Sequence, residues 1–180
     1  MSVYFEDLYK KEISKDLMKK YNIKNPHCVP KISKVVVVAG LGKDGSDKKV
    51  FEGTMNELSA ITGQKPCYRK SKRAIASFNL KENQVIGAHV TLRGRMMYEF
   101  LTRLIFLALP RVHDFKGLST KSFDKKNNFA FGIKDHLIFP ELSYDSIVKN
   151  RGLHVMLTIE NADTKEKAID LLKGFSFPIK

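Results

Sequence analysis

Cysteine is scarce in this chain of 180 residues: Cys28 and Cys67 stand alone, without C-x-x-C spacing. Two such thiols cannot build a disulfide framework, and they fit a reducing compartment in which both stay free. Acid is also in short supply, with 19 Asp plus Glu against 32 Lys plus Arg and a formal charge of +13. An excess of that size speaks about partners, and the two classes it favours are nucleic acid and an anionic membrane surface. Long hydrophobic runs are missing. The most apolar stretch, Leu104 to Leu109, sits between Arg103 and Pro110 and is far too short to span a bilayer, so it reads as a buried helix and no membrane partner is expected. At the N-terminus Glu6 and Asp7 fall where a signal peptide needs apolar residues, and the Arg- and Ser-rich make-up of a transit peptide is lacking; the expected location is the cytoplasm.

Ligand spacing is lacking as well. His27, His89, His113, His136 and His154 are scattered, none in an H-x-x-x-H or His/Cys arrangement, so neither a metal nor another cofactor is expected. No Ser/His/Asp or Cys/His constellation can be assembled, and the adjacent pairs His113-Asp114 and Asp135-His136 should point apart. The chain does not read as an enzyme.

What is present is a folding pattern. Phe5, Tyr9, Ile13, Leu17 and Tyr21 recur every four residues and predict a helix over Val3 to Tyr21, with Lys10, Lys11, Lys15, Lys19 and Lys20 on its outer side. Lys31 to Ala39, with valines from Val35 to Val38, predicts a central strand. Ser46 or Asp47 is a cap candidate for a helix through Val50, Phe51, Met55, Leu58 and Ile61 that Gly63 closes. Arg95 to Leu109 is apolar almost all round and should be the most buried helix. Residues 111–140 have little periodicity beyond an extended piece at Phe129 to Ile133, and read as a long projecting loop. Gly152 to Glu160 alternates as a strand; Asp163 and Glu166 have capping-box spacing before a last helix, Lys165 to Lys173, closed by Gly174. Without repeats or low-complexity linkers, the expected fold class is α+β: a single domain over residues 1–180, with an antiparallel or mixed β-sheet, helices packed on one face and the long projecting loop.

The densest charge lies in a basic hairpin over residues 65–95. Between Lys65 and Arg73 five of nine residues are cationic (Lys65, Arg69, Lys70, Lys72, Arg73), no acid offsets them, and Tyr68 sits among them. Cations so close repel one another unless something negative arrives. Val85 to Leu92 then alternates, Ile86, Ala88, Val90 and Leu92 against Val85, Gly87, His89 and Thr91, with Arg93 extending the open face. A long basic loop joining two strands, beside an open face on which His89 is free to donate to phosphate or ribose, suits a nucleic acid. Tyr68 and Phe78 are the stacking candidates, and each ring is equally a core candidate.

Gly40-Leu41-Gly42-Lys43-Asp44-Gly45 matches G-x-G-x-x-G between a strand and a helix, the context of a dinucleotide-binding loop. The third glycine is followed by a polar cap, and the region about 20 residues on holds Lys65, Arg69 and Lys70 in place of the ribose-binding acid. An NADP-type nucleotide-binding enzyme using this loop is therefore the alternative in another class, a plain glycine-rich turn the simpler reading, and a free RNA chaperone a third.

Thr91-Leu92-Arg93-Gly94, Pro110-Arg111 with Asp114-Phe115-Lys116-Gly117-Leu118, Lys121-Ser122-Phe123-Asp124, Ile138-Phe139-Pro140-Glu141 and Arg151-Gly152-Leu153, taken with Gly63-Gln64-Lys65-Pro66, resemble bacterial-type large-subunit ribosomal protein five over essentially the whole chain. The resemblance implies a structural constituent of the large ribosomal subunit that binds 5S rRNA in the central protuberance, contacts P-site tRNA and forms an intersubunit bridge to a small-subunit protein. It also implies large-subunit rRNA and neighbouring large-subunit proteins as partners. Carried over, the rRNA contacts fall on Gln64, Lys65 and Thr91, joined by the candidates His89, Arg93, Arg69, Lys70 and Lys34. The tRNA loop falls on Lys72 to Lys81, with Lys72, Arg73, Ser77, Phe78 and Lys81, and the bridge on Arg111, His113, Asp114 and Lys116. Where the family commonly carries an Asn at the end of the first strand, this chain has Val38, with Val36 on the same face. The grip there must be weaker, replaced by apolar contact, or supplied elsewhere.

Overall fold

A computed structural model describes residues 4–143 and 147–180; Val3, the start of the first expected helix, lies outside them, as does the side chain of Ser46. The order of elements is α1 (Tyr4–Leu8), a π-helical turn (Tyr9–Ile13), α2 (Ser14–Tyr21), β1 (Lys31–Gly40), α3 (Lys48–Thr62), β2 (Cys67–Lys70), β3 (Val85–Leu92), α4 (Gly94–Arg103) with a second π turn (Leu104–Ala108), β4 (Phe129–Ile133), β5 (Leu153–Glu160) and α5 (Lys165–Gly174). The five strands form an antiparallel sheet in the order β2-β3-β1-β5-β4, which makes the fold α+β. Packing divides the chain into two compact units. One takes the residues up to Val35 with Arg93–Phe131 and Met156–Lys180; the other takes Val36–Leu92 and Gly132–Val155.

The first unit is built around aromatic rings. Phe5 is fully buried, with ring centroids 5.4 Å from Phe175 and 5.6 Å from Phe106, and Tyr9 stacks on Phe175 at 6.1 Å. Each such buried ring contributes about 2 kcal/mol of transfer free energy. The Tyr9 hydroxyl donates to the Pro30 carbonyl at 3.0 Å, and burial pushes its pKa up to about 12. The expected capping box is not formed. Thr164 holds the N-cap position without a side-chain bond, while Asp163 pairs with Lys167 at 3.2 Å. Gly174 is the last helical residue and not a terminator; a Cβ there would meet Ile13 at 3.1 Å, so its bareness lets α5 pass close to that side chain. Residues 111–131 are tied down more than a loop reading implies: Leu118 exchanges backbone bonds with Pro178 and Lys180, and the rings of Phe123 and Phe129 lie 4.7 Å apart.

In the second unit α3 begins as the sequence predicts, with Asp47 accepting the Lys49 N–H at 3.0 Å, and ends at Gly63 with φ 71°. Leu58 and Ile61 are buried from this helix. Its Glu57 carboxylate meets His136 Nε2 at 3.4 Å inside the unit, an ion-pair contact too long for a good hydrogen bond. The Glu57 carboxylate holds the His136 pKa above the usual imidazole value of 6.5. On the other side of the ring, Nδ1 lies 3.1 Å from the Arg151 N–H and 3.0 Å from its carbonyl. Nearby, Asp44 receives Lys149 at 2.6 Å and Arg151 at 3.2 Å, and the Lys149 ammonium, aided by Arg151, keeps its carboxyl below the usual range.

Candidate nucleic-acid interface

The basic run is half strand and half loop. All four residues of β2, Cys67 to Lys70, are exposed, and the strand pairs antiparallel with β3: Cys67 opposite His89, Tyr68 opposite Ala88, Arg69 opposite Gly87, with a register shift before Lys70 pairs with Val85. A Cβ on Gly87 would stand 2.9 Å from the Ala39 carbonyl oxygen, so only glycine lets β3 approach β1 so closely. The directly opposed pair puts Cys67, Arg69 and His89 on one face. Arg69 Nη2 donates to His89 Nε2 at 3.2 Å, and His89 Nδ1 donates to the Cys67 carbonyl at 3.0 Å. One neutral tautomer satisfies both bonds. His89 is therefore occupied at both nitrogens, and its role shifts from outward donor to the group that aims Arg69.

Tyr68 points the other way, packing edge-on against Phe51 of α3 at 5.8 Å with the Lys70 ammonium 5.6 Å from its ring centroid. It is less available as a stacking platform than Phe78, which is 70% exposed.

The connection from Ser71 to Gln84 holds itself together. Ser71, buried within this exposed stretch, donates through its hydroxyl to the Lys81 carbonyl and accepts from the Gln84 N–H at 3.2 Å, while its own N–H reaches the Gln84 carbonyl at 2.8 Å. Farther out, Ile75 and Leu80 form an antiparallel bridge. Asn79 turns the chain at φ 51°, and the 3-10 turn Ala76–Phe78 forms the tip. Lys72, Arg73, Ser77, Phe78 and Lys81 are all exposed on this frame. Sequence reasoning missed Ser71, because a hydroxyl among cations carries no periodic signal.

Gln64 and Lys65 are exposed beyond the cap of α3, where the buried Thr62 hydroxyl bonds both the Leu58 carbonyl at 2.7 Å and the Gln64 carbonyl at 3.1 Å. Thr91 is half-buried on β3, and Val36 and Val38 are half-buried on the outward side of β1. Lys34, half-buried, and Arg93, exposed before α4, belong to the first unit. So do Arg111, His113, Asp114 and Lys116, all exposed; His113 Nδ1 and Asp114 Oδ2 lie 3.2 Å apart, so this pair does not diverge as the sequence suggests. Asp114 adopts φ 54°, which bends the chain there.

A family model described as "Ribosomal protein L5" matches residues 25–81, and a second model, for the C-terminus of the same ribosomal protein family, matches residues 85–179. The chain belongs to the L5 family of ribosomal proteins. It is 49% identical over 172 residues to "Large ribosomal subunit protein uL5" of Malacoplasma penetrans (strain HF-2), covering 96% of this chain and 91% of that one. It is 48% identical over 171 residues to "Large ribosomal subunit protein uL5c" of Gracilaria tenuistipitata var. liui, covering 95% of each. With "Large ribosomal subunit protein uL5" of Variovorax paradoxus (strain S110) the identity is 47% over 172 residues and 96% of each. As an L5 protein it is an rRNA-binding structural component of the large ribosomal subunit and not an enzyme.

The nucleotide-cofactor reading of Gly40 to Gly45 falls with that membership, and the L5 geometry gives the physical reason. The sheet is antiparallel, so it lacks the parallel crossover on which a dinucleotide loop is built. Within the loop Asp44 takes up the nearby cations Lys149 and Arg151. A Cβ on Gly45 would stand 1.8 Å from the Val85 carbonyl oxygen, so this glycine serves the close passage of the turn beneath β3.

Proposed function

We propose that the whole chain, residues 1–180, acts as one ribosomal domain that binds 5S rRNA in the central protuberance. Gln64, Lys65, Arg69, Lys70 and Thr91 meet the RNA, His89 positions Arg69, and Lys34 and Arg93 add charge. The observation that carries this reading is β2, an edge strand with every residue exposed, Arg69 and Lys70 among them. Phosphate neutralisation then supplies most of the affinity, while Gln64 and Thr91 set register. Val36 and Val38, half-buried on their strand, replace a polar grip with apolar contact. The framed tip bearing Lys72, Arg73, Ser77, Phe78 and Lys81 faces P-site tRNA, with Phe78 as the ring to stack or wedge. Arg111, His113, Asp114 and Lys116 form an intersubunit bridge to a small-subunit protein; their exposure and the turn at Asp114 suit such a contact.

The test compares single variants by filter binding to 5S rRNA. Losing one hydrogen bond at the face costs about 1.4 kcal/mol, or about tenfold in affinity, for Thr91→Ala, while Lys81→Ala stays within about threefold. Equal losses mean that the rRNA face has been assigned wrongly. In assembled subunits Phe78→Ala lowers retention of P-site tRNA and leaves the 5S rRNA content unchanged; a loss of 5S rRNA instead contradicts the division of labour.

A further inference from the structure

The strand pair that carries Arg69 is irregular. From Cys67 to Arg69 the partners on β3 step down one at a time to Gly87, and then Lys70 meets Val85, which leaves Ile86 as the extra residue of a bulge. The shifted count continues into the neck of the hairpin, where the Ser71 N–H reaches the Gln84 carbonyl at 2.8 Å. Side chains alternate between faces, so a one-residue step decides which way Lys70 and the hairpin beyond it point relative to Arg69 and His89. A bulge also disrupts the local ladder, and the backbone groups it frees need partners from elsewhere.

A partner comes from the glycine-rich turn. The Leu41 N–H donates to the Ile86 carbonyl at 2.9 Å, and Gly45 passes beneath Val85, whose carbonyl oxygen would stand 1.8 Å from any Cβ there. What holds the turn is Asp44. Its carboxylate receives Lys149 at 2.6 Å and Arg151 at 3.2 Å, and the Arg151 guanidinium also reaches the Gly40 carbonyl at 3.4 Å. The Arg151 side chain is only 8% exposed. Its backbone is pinned by His136, which donates its N–H to the Arg151 carbonyl at 3.2 Å and accepts the Arg151 N–H on Nδ1 at 3.1 Å. All of these residues belong to the second unit.

We propose that Asp44, held by Arg151, is a positioning residue for rRNA binding: it clamps the glycine-rich turn against the bulge at Ile86 and so fixes the geometry in which Arg69, Lys70 and the hairpin meet the phosphate backbone. The inference rests on the assignment of the β2–β3 surface to rRNA argued above. Charge and geometry then predict opposite signs. By charge alone, removing a carboxylate from a protein of net charge +13 strengthens its hold on a polyanion, and exchanging arginine for lysine leaves that hold unchanged. A clamp predicts weaker binding in both cases, because lysine cannot reproduce the guanidinium fork that spans Asp44 and Gly40.

The test measures filter binding of the full chain to 5S rRNA at fixed salt, with the urea midpoint followed in every variant. Asp44→Asn and Arg151→Lys are each expected to lose about tenfold in affinity, the scale of one misplaced charged contact. Asp44→Glu, which keeps the carboxylate, should stay within about threefold of the native chain. Glu52→Gln, the same change of charge at an exposed position on α3, should bind as tightly as the native chain or more so. Exchange of the Leu41 amide should quicken in the two weakened variants alone. Binding by Asp44→Asn that equals or exceeds that of the native chain, or equal losses in Asp44→Glu and Asp44→Asn, overturns the clamp and leaves the rRNA assignment standing. If Asp44→Asn does not fold, Arg151→Lys decides by the same criterion; failure of both to fold makes the cluster a requirement of folding and overturns the clamp. A native chain that ignores 5S rRNA overturns the assignment itself.

Discussion

At the scale of single residues, side chains held by their own hydrogen bonds decide where the proposed rRNA contacts stand. Arg69 would sweep a wide volume on an exposed strand, yet its bond to His89, which is fixed by the Cys67 carbonyl, holds the guanidinium on one face. Ser71 does the same for the hairpin: it is buried, and its hydroxyl both donates and accepts across the neck. Ser71→Ala leaves those partners unsatisfied at a cost of about 2 kcal/mol. Hydrogen exchange of the amides from Lys72 to Asn83 should accelerate by at least tenfold in that variant and stay unchanged in Lys72→Ala; equal exchange in both would contradict the role given to Ser71. The buried His136 predicts a pH dependence. Its folded pKa is raised above 6.5 by Glu57, so the stability it contributes is fully present below pH 6.5 and is lost as pH rises through the higher folded value. Asp44 works in the opposite direction, its lowered pKa giving stability that is present above the ordinary carboxyl value of 3.8 and lost as acid titrates it. Urea midpoints should therefore decline above pH 6.5, and Glu57→Gln should flatten that decline; an identical slope in the variant refutes the pairing.

At the scale of elements, the strands whose two faces meet different surroundings were legible. In β5 the buried Leu153, Val155, Leu157 and Ile159 alternate with outward residues just as the sequence reads, and α3 was bounded correctly because Asp47 and Gly63 are local signals. β2 was hidden within the basic loop for a physical reason: an edge strand exposed along its whole length has no burial alternation to imprint on the sequence. The bonds of Leu118 to the C-terminal residues and the contact of His136 with Glu57 join positions far apart in sequence, which periodicity cannot report. The same limit applies to the proposed site, where Lys65, Arg69 and Lys70 stand out by charge alone but the framing serine and the aiming histidine need geometry. Gly45→Ala tests the reassigned glycine loop. A methyl group 1.8 Å from a backbone oxygen forces the turn away from β3, and the expected destabilisation is on the order of 3 kcal/mol by denaturant titration, with Gly42→Ala costing about 1 kcal/mol, from its φ of 53° and not from any neighbour. Equal costs at the two positions would mean that the turn relaxes freely and that the close passage is unimportant.

For the molecule as a whole, a charge of +13 is distributed with purpose. Cations gather on the β2 edge and the hairpin tip, where Arg69, Lys70, Lys72, Arg73 and Lys81 are all exposed. A protein built in this way is electrostatically incomplete without its partners. Its principal partner should therefore be a polyanion whose binding releases counterions. The measurement that tests this most directly is the affinity of the purified chain for 5S rRNA across a salt series. Each phosphate contact should add roughly 0.7 to 0.9 to the slope of log affinity against log salt, so contacts from Lys65, Arg69 and Lys70 alone should give a slope magnitude of about 2 or more, and Arg69→Ala should lower it by about one contact. A flat response, or a slope that Arg69→Ala leaves unchanged, would contradict the account.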